Sequence, residues 1–146
     1  MAPRMWTTIT VTSASSPALW TSTATAPTSS TPTTPTRTAA LLAEHIVSEG
    51  VTSFLATTIT QSVEVLTNAV TNVANVMESG YDGAEILGIH FEGPYLDMKY
   101  KGAQPDQYIV KPTIEQFEHY QKAARGHIRY VTLATEHDET SPSPAI

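Results

Sequence analysis

The sequence predicts an α/β fold with a parallel sheet, and three observations carry that reading. Short apolar, β-branched runs alternate with amphipathic stretches of helical period. The helical stretches have start and stop signals at their ends. The apolar runs are hydrophobic nearly throughout rather than at every second residue, as in strands covered on both faces. Strands separated by helices imply right-handed βαβ units. Two such units fit a slice of a closed barrel or of an open doubly wound sheet.

In chain order, 39–48 is a short helix with Leu42 and Ile46, and Ala43 and Val47, spaced four apart. Gly50 is its stop, because glycine tolerates the left-handed conformation there. The run 51–57 (VTSFLAT) is a buried strand. Thr60 or Ser62 caps the next helix, which extends to Ser79 on an apolar stripe of Val63, Leu66, Val70, Val73 and Met77. Residues 84–92 (AEILGIHFE) form the second strand, and a loop rich in Gly and Pro covers 93–112. Thr113 and Gln116 make a capping box for a third helix reaching Arg125. Residues 128–134 (IRYVTLA) are the third strand, with Glu136, His137 and Asp138 just past its end.

Composition divides the chain into three parts. Within 1–38, 24 residues are Ser, Thr or Pro and none is Asp, Glu, Lys, Gly, Asn, Gln or His. Such a segment has little to bury and reads as disordered. Residues 39–139 have the composition of an ordinary globular α/β domain, and 140–146 revert to the first style. The whole chain has 146 residues, room for one ordinary domain, whereas a complete (β/α)8 barrel needs roughly 250. A net charge of −6 argues against nucleic-acid or anionic-membrane surfaces as partners. Cysteine is absent, so a metal here would be held by His, Asp or Glu. With no long apolar run and no signal-peptide core at the start, the expected location is cytoplasmic.

In a parallel sheet, function gathers at the carboxyl ends of the strands. Three places qualify: 57–60, 90–95 and 135–138. Glu92 is the most telling, because a carboxylate at the end of a buried strand is costly unless it is paired or coordinating. It either holds a cation or caps the following Gly-Pro turn by accepting backbone N–H bonds. His90 lies two residues earlier, hence on the same face. A His-x-Glu pair could bind one metal, although a satisfied core histidine is the simpler reading of His90.

The segment GIHFEGPYL at 88–96, followed by KGAQP at 101–105, resembles N-acetylglucosamine-6-phosphate deacetylases. The resemblance runs from about residue 43 to residue 139, and GVTSFLATTIT before it matches the family's second strand and its Thr-rich exit. It implies that the chain is a fragment of a (β/α)8 TIM barrel of the amidohydrolase superfamily. The implied reaction is hydrolysis of N-acetylglucosamine 6-phosphate to glucosamine 6-phosphate and acetate, on one or two divalent ions (Zn, Fe or Mn). The family is expected to be homo-oligomeric. Residue by residue, the resemblance makes Glu92 a metal ligand, Ala103 and Gln104 part of the sugar-phosphate pocket, and His90 a supporting residue. It matches Glu136 to a loop glutamate with a structural role. Lys99 and Lys101 lie near enough to attract a phosphate, or are simply solvated. His45, His119 and His127 fall on or beside helices and read as structural or surface residues.

The family pattern also includes a first strand ending in D-x-H-x-H-G, later histidines, and an aspartate acting as general base and acid. These are not in the sequence, so this chain on its own is expected to be inactive; the alternative to an enzyme is a truncated or pseudo-enzymatic chain. Read two bases later, the codons of residues 16–26 permit P-G-F-V-D-x-H-x-H-G, with the aspartate forced by Trp20 followed by Thr21. A comparable shift is permitted over 140–146. The ends therefore read as out-of-frame translation. Three strands without a closed barrel should also leave an apolar face open, with Leu55, Ile89 and Phe91 partly exposed, and should promote self-association.

Overall fold

A computed structural model of the chain describes residues 5–11, 22–28 and 35–135. Its elements are β1 (Met5–Val11), β2 (Ser22–Thr28), α1 (Pro35–Val47), β3 (Ser53–Thr57), α2 (Val63–Ser79), β4 (Glu85–Glu92), a short 3-10 turn (Asp106–Tyr108), α3 (Ile114–Ala123) and β5 (Ile128–Thr132). They form one sheet in the order β2-β1-β3-β4-β5. β3, β4 and β5 are parallel, joined through α2 and α3, as the alternation of runs predicts. The triplet at 136–138 and the tail at 140–146 lie outside the described residues.

The helix ends follow their sequence signals. Ser62 Oγ accepts from Val65 N–H and opens α2, and Thr113 Oγ1 accepts from Gln116 N–H and opens α3. Helix α1 begins at Pro35, four residues earlier than the apolar period suggests. Proline is favoured at a first helical position, where its missing N–H costs nothing. Two strands fall within 1–38, where composition leads one to expect no regular structure. β1 and β2 pair antiparallel over seven positions, and β1 meets β3 at Thr10↔Leu55. The composition argument concerns burial, which a ribbon held by backbone bonds does not demand, and threonine favours the extended chain.

Two clusters fill the space between sheet and helices. Ala43, Ile46, Phe54, Ala56, Val76 and Ile86 form one; Leu66, Val70, Ile89, Phe91, Tyr95, Tyr120 and Ile128 form the other. Helix α2 serves both, and Val73 touches each. Its buried line is Leu66, Val70, Ala74 and Val76, with Val63 left exposed, so the face is rotated slightly from the stripe read in the sequence.

The open face of the sheet differs from expectation. Ile89 and Phe91 are fully buried under the helices, while Leu87 and Tyr130 are exposed and Leu55 is half-buried. The cause is a change of phase in β4. Phe54 pairs with Ile86 but Leu55 pairs with Gly88, leaving Leu87 as an extra residue. A matching irregularity in β5 skips Arg129, between Ile128 and Tyr130. A Cβ at Gly88 would run into the Arg129 stem, so the two bulges fit only with glycine there.

Candidate active-site cleft

The phase change turns His90 and Glu92 to the open face, side by side as their spacing requires. His90 bridges three strands: its Nδ1 lies 3.2 Å from Thr57 Oγ1 on β3 and its Nε2 2.8 Å from Thr132 Oγ1 on β5. Tyr130 packs edge-on against its ring at 4.9 Å. Burial lowers the imidazole pKa, opposed by the nearby Glu92 carboxylate. The ring is thus a neutral cross-strand tie with both nitrogens engaged.

Glu92 heads a cleft of about 370 Å³ lined by Thr58, Ile59, Glu92, Tyr100, Lys101, Gly102, Ala103 and Gln104. Its backbone N–H donates to Thr58 Oγ1 at 3.2 Å, and Thr58 N–H donates to the His90 carbonyl at 3.0 Å, lacing the heads of β3 and β4 together. Gln104 Nε2 donates to Glu92 Oε1 at 3.2 Å, and Thr60 N–H donates to Gln104 Oε1 at 2.7 Å. Gly93, at φ +75°, passes so close to Thr60 that a Cβ there would collide with Thr60 Oγ1. Glu92, Ala103 and Gln104 therefore share one cleft. The contribution of Thr58 and Thr60 was visible only as a Thr-rich strand exit.

Lys101 lines the cleft with its charge engaged by its own loop. Its Nζ lies 2.6 Å from Asp106 Oδ1 and donates to the carbonyls of Gln104 at 3.0 Å and Gly102 at 3.3 Å. The Lys101 bond holds the Asp106 carboxyl below its ordinary range. Lys99 Nζ lies over the Tyr100 ring at 5.1 Å. Of the remaining histidines, His45 pairs with Glu49, His119 with Thr67 Oγ1 and His127 with Glu78, all outside the cleft.

A hard carboxylate fits a divalent ion as one ligand. Among the described residues no group of three or more His, Cys, Asp or Glu could hold a metal. With His90 committed to Thr57 and Thr132, these side chains offer one ligand and not a shell. No helix among the described residues is long and apolar enough to cross a membrane.

No family model matches the chain. Over 102 residues it is 43% identical to the N-acetylglucosamine-6-phosphate deacetylase of Bacillus subtilis strain 168, covering 68% of this chain and 26% of that protein. It resembles the crystal structure of the N-acetylglucosamine-6-phosphate deacetylase of Pasteurella multocida at a TM-score of 0.60 and 31% identity, over 70% of this chain and 26% of that one. A Mycobacterium smegmatis N-acetyl-D-glucosamine-6-phosphate deacetylase variant, solved in complex with N-acetyl-D-glucosamine-6-phosphate, matches at a TM-score of 0.59 and 30% identity, over 74% and 26%. Three parallel strands with their helices make the described unit α/β, similar to part of the fold of these deacetylases. The chain is related to a segment of the N-acetylglucosamine-6-phosphate deacetylases, and it spans about a quarter of the length of the relatives it matches.

Proposed function

We propose that residues 39–135 are the stretch of an amino-sugar-phosphate deacetylase that supplies one metal-ligand carboxylate and one wall of the substrate cleft. The observation that carries this is the placing of Glu92 at the head of β4, facing the cleft that Ala103 and Gln104 line. The reaction is hydrolysis of N-acetylglucosamine 6-phosphate to glucosamine 6-phosphate and acetate, and the complete fold is a closed (β/α)8 barrel. A bound Zn, Fe or Mn ion would supply Lewis-acid polarisation of the amide carbonyl and a more acidic water. Glu92 contributes one ligand oxygen to such an ion, Ala103 and Gln104 shape the sugar-phosphate side, and His90 keeps the strand heads in register.

The 146-residue chain alone is inactive on this reading, because one carboxylate binds an ion too weakly to orient it for water activation. Incubated with N-acetylglucosamine 6-phosphate and Zn or Mn, the purified chain should release no glucosamine 6-phosphate; metal-dependent release would overturn this. The deacetylase reading has its own test. Residues 43–135 grafted into the Bacillus subtilis relative in place of the matching stretch should retain metal-dependent turnover. Glu92→Ala within the graft should then abolish it. An active graft indifferent to Glu92→Ala would refute the ligand role.

A further inference from the structure

We propose that Gln104 is a positioning residue for Glu92, fixing the direction in which the carboxylate presents its second oxygen to the cleft. The proposal rests on Glu92 being the working carboxylate of that cleft. Gln104 is 8% exposed and both ends of its amide are committed. Thr60 N–H can only donate, so the amide oxygen must face it, at 2.7 Å. The Glu92 carboxylate, when ionised, can only accept, so the amide nitrogen must face it, at 3.2 Å. The opposite amide orientation would set N–H against N–H at one end and oxygen against oxygen at the other.

The rest of the loop is built to deliver this amide. Lys101 Nζ grips the Gln104 carbonyl at 3.0 Å and is itself anchored by Asp106 at 2.6 Å. Gly93 lets the chain pass close enough to Thr60 for the amide to span from Thr60 to Glu92. The head of β3 thus holds Glu92 twice: by its backbone through Thr58, and by its Oε1 through Gln104. Oε2 is then the oxygen left to meet a cation. A glutamine serves because it donates at one end and accepts at the other without adding charge.

The test is side-chain amide NMR on the full chain. In the wild type, the two Gln104 amide protons should be well separated and slow to exchange. Glu92→Ala should collapse that separation without moving the Thr60 amide far. Gln104→Met, which keeps the volume and loses both bonds, should move Thr60 as well. Mn2+ is the functional probe. It should broaden Thr58, Gly93 and Gln104 in the wild type, and Gln104→Met should need about tenfold more ion for equal broadening. Gln104 protons at free-amide positions and indifferent to Glu92→Ala would overturn the proposal, as would equal Mn2+ demand in Gln104→Met. If Mn2+ leaves the wild type untouched, the ligand reading of Glu92 fails, and the metal-free amide signature alone decides the positioning role. That signature is read on the unmodified chain, so it stands even if a variant fails to fold.

Discussion

Gly93→Ala should be the most damaging single-methyl change around the cleft. Two costs combine. A non-glycine residue held at φ +75° loses about 1–2 kcal/mol to left-handed strain. The new Cβ would also collide with Thr60 Oγ1 and sit 3.1 Å from Gln104 Oε1, displacing the bond between Thr60 N–H and Gln104. Losing that bond costs about 1 kcal/mol more. The sum, about 2–3 kcal/mol, corresponds to a fall of roughly 10–20 °C in Tm for a domain of this size. Gly102→Ala is the control, since Gly102 has φ +62° and open space where its Cβ would stand. It should carry the strain alone. Urea unfolding followed by circular dichroism, at dilution that keeps the chain monomeric, measures both. Equal losses for the two variants would refute the close approach of Gly93 to Thr60.

Three further outcomes follow from other parts of the molecule. Asp106 should titrate below its ordinary value of 3.8, so the Lys101 clasp is intact above that pH and lost as pH falls through the depressed value; Lys101→Met should restore ordinary titration, read by NMR. Amides of β1 and β2 should exchange far faster than those of β3 and β4, because the Ser/Thr/Pro-rich segment has little to offset its ordering entropy; slow exchange there would contradict its reading as disordered. The open face carrying Leu87 and Tyr130 should cause concentration-dependent self-association and binding of hydrophobic dye, both reduced by Leu87→Thr with Tyr130→Thr; a monomer that binds no dye, by light scattering, would count against it.

The parallel core was legible because its signals are local. The caps at Ser62 and Thr113 and the apolar strand runs each depend on a few adjacent residues, and they held. The association of Glu92 with the Ala103-Gln104 segment came from family resemblance alone, since nothing local links residues twelve apart across a loop. The roles of Thr58 and Thr60 were hidden because they act mainly through close approach and backbone groups. The engagement of Lys101 was hidden for a related reason: its partner Asp106 lies within the same loop, and only the fold reveals that the two meet. Ile89 and Phe91 were expected on the face that an unclosed barrel leaves open, and a run apolar on both faces does not tell which of its residues meet the helices.

That break in alternation separates two kinds of information along β4. Up to Ile86 the odd and even positions have one meaning, and after Leu87 they have the other. Removing Leu87 would delete no residue of the cleft and no residue of the core, and Gly88 would follow Ile86 directly in the pairings they already make with Leu55 and Phe54. If instead Leu87 stayed and took a place in the ladder, every later residue would slip by one, turning the Glu92 carboxylate in among the helices and the Phe91 ring out into the cleft. The looping-out of one residue, more than the identity of its side chain, therefore determines that this strand ends in a carboxylate facing open space.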